Sequence, residues 1–253
     1  MANILDVEAL LFDVFGTVVN WKSSVIKQLA QSHGIPEDIL AATPTDWDAF
    51  AVEWRTKYYQ QTKKVSESGI GSTNIDVVHR QLLDEMLETP RWQHLSAHWG
   101  DKKREEMTRF WHKLDGWEDS SRGLYSMKKD FILGTLSNGS ARLLVDLHAD
   151  LPWDIVFSGD IIGSFKTNPK MYLGAVEKLD LKPHKVAMVA AHRHDLVAAA
   201  THGMKTVYVR RPTEDAYLTA EEKAAIKPRA DGGEFDLVVN SLTELAQLLE
   251  SPE

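Results

Sequence analysis

Residues 9–18 read ALLFDVFGTV, and the fold turns on what the aspartate is doing there. Ala9 to Phe12, with Val14, suit a buried strand, and Asp13 interrupts them at the tip. A carboxylate is rarely buried without partners. Asp13 therefore marks either a turn closed through Gly16 and Thr17, as Asp commonly does, or a place where a ligand sits. Phe15, two positions on, raises a second question, because its ring can neither give nor take a proton.

Outward from that stretch the pattern is regular. The strand at 8–13 is followed by a helical reading at 22–33, closing at His33-Gly34 before Pro36, where helices tend to stop. Thr45 reads as the N-cap of DWDAFAVEWRTKYYQQTKKV, which carries acids in its first turn and lysines in its last. SESGIGST reads as a loop, with helices after it at 74–88 and 101–113. From Lys129 the short apolar runs FILGTLS, DIVFSG, KVAMVAA and KTVYVR alternate with helical stretches at 139–148, 169–179 and 194–202. Strands alternating with helices predict a parallel α/β sheet. The expected fold is a Rossmann-like, doubly wound core over 1–18 and 101–253, with a helical cap inserted over 19–100. The polar segment 211–236 reads as a surface excursion before a last strand, LVV, and a helix at 241–250.

Composition narrows the function. The chain has 253 residues, 43% hydrophobic and 26% charged, enough for a real core. A formal charge of -8 argues against nonspecific binding to nucleic acid or an anionic membrane. With no cysteine there is no thiolate nucleophile or metal ligand. No apolar run approaches the roughly 20 residues that span a bilayer. MANILDVEAL lacks a signal-peptide pattern, so a cytoplasmic protein is expected.

In open α/β sheets ligands bind beyond the carboxyl ends of the strands. Those ends hold Asp13, Ser137-Asn138, His192 and Asp195, with Lys166 one remove behind its strand. Arg55, in the Trp54-Arg55 pair of a helix, reads either as a solvated residue or as a ligand cation. The aromatic stripe over 47–58 suits a core or an interface better than a pocket. DKKREE at 101–106 reads as a solvated helix face, and His94, His98 and His112 show no metal spacing.

The segments LLFDVFGTVV, TLSNGS, SFKTNPKMY and HRHDLVAAATHGMKTVYVRRP resemble, in order and spacing, the four motifs of the haloacid dehalogenase superfamily. The resemblance covers almost the whole chain and implies an Asp nucleophile, a Rossmann-like core and an inserted cap. Most members are magnesium-dependent phosphohydrolases with a second Asp where Phe15 stands, and with a Gly-Asp pair where Ala190 and Ala191 stand. Magnesium prefers octahedral oxygen ligands, and Asp13 with Asp195 alone is a poor set. The chain is more similar to the L-2-haloacid dehalogenase branch, which places an aromatic residue at the Phe15 position and uses no metal or other cofactor.

That resemblance implies Asp13 as nucleophile, Lys166 as the cation keeping it ionised, and Asp195 as the residue that positions water. It implies a halide and substrate site of Arg55, Ser137, Asn138, Phe15, Val14, Thr17, Tyr59, Trp54 and Tyr172. The expected ligands are a small haloacid and halide, with neither nucleic acid nor membrane as partner; family members are often homodimers. Two departures stand out: Ala190 replaces a Ser, and His192 an Asn. Histidine can orient or deprotonate water near neutral pH, so His192 joins the catalytic candidates. A magnesium phosphohydrolase and a non-catalytic carboxylate binder are the alternatives.

Overall fold

The structure is a computed structural model, and it describes residues 6–42, 45–147 and 150–250. Its centre is a parallel six-stranded sheet: β1 (Ala9–Phe12), β2 (Ile132–Ser137), β3 (Ile155–Ser158), β4 (Val186–Ala190), β5 (Lys205–Val209) and β6 (Leu237–Val239). The strand order is β3-β2-β1-β4-β5-β6. The chain therefore steps outward from β1 in one direction and then returns to its other side, which places the crevice of a doubly wound sheet at the β1/β4 ends. Ala9 pairs with Ile132 and with Val186. All four β1 residues are fully buried, as a continuous apolar run in a central parallel strand requires.

Between β1 and β2 the described residues form seven helices: α1 (Trp21–Ser32), α2 (Glu37–Ala42), α3 (Trp47–Ser68), α4 (Ile75–Leu87), α5 (Gln93–Ser96), α6 (Asp101–Thr108) and α7 (Ser120–Met127), with a 3-10 turn at Arg109–His112. The later helices are α8 (Ala141–Leu147), α9 (Gly159–Ile162), α10 (Pro169–Lys178), α11 (Arg193–Thr201), α12 (Ala220–Ala225) and α13 (Leu242–Leu249). The stretch expected to be helical to 148 reaches Leu147, and residue 148 lies outside the described residues. No helix among the described residues is long and apolar enough to cross a membrane.

The long helix α3 departs from expectation at both ends. Its N-cap is Asp46, whose carboxylate accepts from Ala49 N at 2.9 Å, rather than Thr45. It also runs past its lysines to Ser68 and stops at Gly69, a left-handed residue whose N–H reaches Val65 O. SES therefore belongs to the helix and only the glycine-containing remainder is loop. Burial on this helix falls on Phe50, Ala51, Trp54, Arg55, Tyr58, Thr62 and Val65, a single face at helical spacing. Arg55 is the charged member of that face and is 4% exposed, so the solvated reading of it fails. The run at 101–106 is solvated in part: Arg104 turns inward to Trp99 O, Ser96 and Asp84.

The segment 211–236 departs as well. Asp215 is buried, and its carboxylate accepts the Arg193 N–H at 2.7 Å, tying the loop to the start of α11. A chain length that reads as polar excursion thus folds back over the β1/β4 ends.

Candidate active site

Asp13 is the first residue beyond β1, and its N–H still bonds to Val189 O of β4 at 2.9 Å. The strand therefore fixes its backbone while its side chain clears the sheet end. Asp13 Oδ1 accepts from Lys166 Nζ at 2.7 Å. Asp13 Oδ2 lies 2.9 Å from Thr17 Oγ1 and 3.1 Å from His192 Nδ1. Thr17 Oγ1 itself accepts from Ala191 N–H at 2.8 Å, so the hydroxyl proton is the part left to donate to Asp13. Burial works to raise the Asp13 pKa, but Lys166 and then His192 overcome it and hold the carboxyl well below its ordinary value.

Lys166 also bonds Asp195 Oδ2 at 2.5 Å, and Tyr172 donates to Asp195 Oδ1 at 2.7 Å. Asp195 sits in the first turn of α11, where the helix dipole favours negative charge. Burial alone would lower the Lys166 pKa; its two carboxylates raise it. The Lys166 N–H bonds Asn138 Oδ1 at 2.7 Å, which leaves the Asn138 amide nitrogen to donate elsewhere. Ser137 closes the turn after β2 by accepting from Gly139 N–H at 3.1 Å, and its proton remains available.

Arg55 stands on aromatic faces: its guanidinium carbon is 4.4 Å from the Tyr58 and Tyr59 centroids, 5.1 Å from Phe15 and 5.4 Å from Trp21. Its Nη2 donates to Tyr59 Oη at 3.0 Å, while Nε and Nη1 are buried and have no partner among the described residues. Trp54 lies behind this socket, with its indole N–H on His79 O at 3.1 Å and its ring edge-on to Trp111. Val14 is fully buried, and its carbonyl accepts from the Val18 and Val19 N–H groups. The expected residues Asp13, Lys166, Asp195, Tyr172, Thr17 and His192 form one hydrogen-bonded cluster, and Tyr59, whose oxygen is 3.4 Å from His192 Nε2, links it to Arg55.

Glu214 is the residue that sequence reasoning missed. Its Oε2 lies 2.8 Å from His192 Nε2, and Trp21 Nε1 donates to its Oε1 at 3.0 Å. Gly16, at φ +86, makes the room: a Cβ there would stand 2.5 Å from Glu214 Cδ. The strand-end rule carried one strand further, to the residues leaving β5, is the signal that finds it. Both His192 nitrogens thus face carboxylates, which accept only. Burial pushes His192 down, but Tyr59, Asp13 and Glu214 hold it well above its ordinary value. The two carboxylates favour the imidazolium form of His192, a donor rather than a base.

A family described as haloacid dehalogenase-like hydrolase matches residues 7–203. A solved structure of a defluorinating L-2-haloacid dehalogenase is 33% identical over 97% of this chain and 96% of that one, with a TM-score of 0.81. The (S)-2-haloacid dehalogenase 4A of Burkholderia cepacia is 27% identical over 95% of this chain and 94% of its own. A phosphoglycolate phosphatase of Chromobacterium violaceum is 23% identical over 98% of this chain and 99% of its own.

Proposed function

Since the chain belongs to the haloacid dehalogenase-like hydrolase family, we propose that it is a hydrolase of carbon–halogen bonds. In this reading it converts short (S)-2-haloalkanoic acids and haloacetates to 2-hydroxy acids, without a metal, through an ester on Asp13. The observation that carries the reading is Arg55. A buried guanidinium with two unengaged nitrogens, set among aromatic rings and resting on Phe15, suits a leaving halide. It stabilises charge that grows as the carbon–halogen bond breaks, where stabilisation accelerates the reaction.

Asp13 Oδ2 already accepts from two donors and Oδ1 from one, so Oδ1 is the oxygen with an electron pair to spare. That pair forms the new bond to C2, and the halogen departs with the old one toward Arg55 and the Asn138 amide. Ser137 supplies a hydroxyl donor for the substrate carboxylate. Phe15, Tyr59 and the rings around Arg55 keep water from the nucleophile until the ester has formed. Asp195, oriented by Tyr172 and Lys166, receives a proton from the water that then attacks Asp13 Cγ.

The phosphatase relative favours the phosphohydrolase alternative, and the donor set opposes it. The ammonium of Lys166 already stands between Asp13 and Asp195. Among the described residues no group of three or more His, Asp or Glu is arranged to hold a metal. Phe15 offers no proton for a leaving alcohol. Halide release from L-2-chloropropanoate, chloroacetate and fluoroacetate in EDTA, with Asp13→Ala alongside, decides the matter. Release by the wild type that falls by at least about 10⁴-fold in the variant supports the proposal. Silence in EDTA with turnover of an aryl phosphate on adding magnesium overturns it in favour of the phosphohydrolase. Thermal stabilisation by haloacid without turnover in either assay points to a binding protein.

A further inference from the structure

The geometry points to Glu214 as a positioning residue for the second half of the reaction, acting through His192 on the Asp13 oxygen that becomes the ester carbonyl. This rests on the dehalogenase reading above. With Oδ1 as nucleophile, Oδ2 is left as the carbonyl oxygen of the aspartyl ester. Its partners are already in place: the Thr17 hydroxyl, oriented by the Ala191 N–H, and the Nδ1–H of His192. When water adds to Cγ, the carbonyl π pair moves onto Oδ2, and these two donors face the oxyanion that results. Asp195 takes one proton of the water. As the Cγ–O ester bond breaks, its electron pair goes to the departing alkoxide, which recovers that proton and leaves as the 2-hydroxy acid. Asp13, left protonated between Lys166 and His192, gives its proton to solvent, so the whole cycle releases one halide and one proton.

Glu214 determines which proton state of His192 does this. Held at 2.8 Å, its carboxylate keeps a proton on Nε2 and so directs a charged Nδ1–H at Oδ2. A charge-assisted donor is stronger than a neutral one, and its contribution grows only when Oδ2 turns from carbonyl to oxyanion. In the first half-reaction the same donor binds the ionised nucleophile, whose charge declines as the ester forms, so it gives that transition state no advantage over the ground state. Glu214 is itself buried, with its second oxygen anchored by Trp21. The charged and titratable groups around His192 are Asp13 beyond β1, Glu214 and Tyr217 after β5, Tyr59 from α3 and His194 from α11, with Lys166 across Asp13 and Arg55 across Tyr59.

Glu214→Gln isolates the charge. The amide still accepts from Trp21 through its oxygen and can donate to His192 Nε2, so the ring keeps its place but loses a proton. Nitrogen-15 NMR of the wild type should show both His192 nitrogens protonated at pH 8, and the variant's midpoint should fall by more than one pH unit. In single turnover with L-2-chloropropanoate, ester formation should stay within about threefold. Ester hydrolysis should slow about tenfold, with the ester on Asp13 accumulating by mass spectrometry and the deficit growing with pH. His192→Asn should show the same accumulation, and adding Glu214→Gln to it should slow hydrolysis no further. An unchanged His192 titration in Glu214→Gln, or equal slowing of the two half-reactions, overturns the assignment while leaving the dehalogenase reading intact. A wild type that forms neither ester nor halide overturns that reading and this role together.

Discussion

Two buried cations stand within the same site and are treated in opposite ways. Lys166 is paired: one ammonium bridges Asp13 and Asp195 at 2.7 and 2.5 Å. Arg55 has a tyrosine oxygen, several ring faces and two nitrogens with no partner among the described residues. A paired charge orders the groups that pair with it. An unpaired one, kept dry at some expense in stability, is ready for an anion that arrives later. Under the proposed function, that difference separates the residue that would organise the nucleophile from the one that would receive the departing halide.

Removing each charge tests that division. Lys166→Met leaves two buried carboxylates without their shared cation, and is expected to cost about 3–5 kcal/mol of unfolding free energy, read by denaturant titration. Arg55→Met is expected to cost about 1 kcal/mol or less in the same titration, since mainly ring contacts are lost, while halide release falls about 10²–10³-fold. Equal destabilisation by the two would break the contrast.

The pH dependence of stability sharpens it. Asp13, held below its ordinary 3.8, adds stability above that pH and loses it as the pH falls through the folded value. His192, held above 6.5, adds stability below that pH and loses it as the pH rises through its folded value. The melting temperature should therefore be level between 3.8 and 6.5 with respect to these groups and decline on either side. Lys166→Met should shrink the acid decline, and Arg55→Met should leave it in place. The smallest effect belongs to Tyr59→Phe, which removes the hydrogen bond that Arg55 makes to a side chain; substrate affinity should weaken by about 1 kcal/mol with stability little altered.

The sheet and the residues at its carboxyl edge were legible because strand ends and motif spacing are local signals. Asp13, the Ser137-Asn138 pair and His192 sit at the end of an apolar run, and Asp195 stands three residues beyond His192. Arg55 was legible through its Trp54 neighbour, but its burial depends on Phe15, Trp21 and Tyr58 converging from different elements. Glu214 was hidden because its segment carries no periodicity and its contacts are made with residues remote in sequence. The α3 cap went to Thr45 because two good capping residues are adjacent and only the backbone decides between them. The state of His192 was hidden too: a histidine beside a nucleophile reads as a base until a second carboxylate is found behind it.

The placement of β1 has a consequence for how the molecule forms. The strand that leads into Asp13 is the first of the six in chain order, yet it pairs with Ile132 and Val186 across the helices between β1 and β2 and across β2 and β3. Such distant pairings make loop closure slow and raise the contact order of the chain. The helices of the insertion can consolidate early from near neighbours. The central strand locks only when both flanking strands have arrived, and Asp13 meets Lys166 and His192 only then. The hydrogen-bonded cluster around Asp13 is thus expected to be completed late in folding, after most of the helical structure is in place.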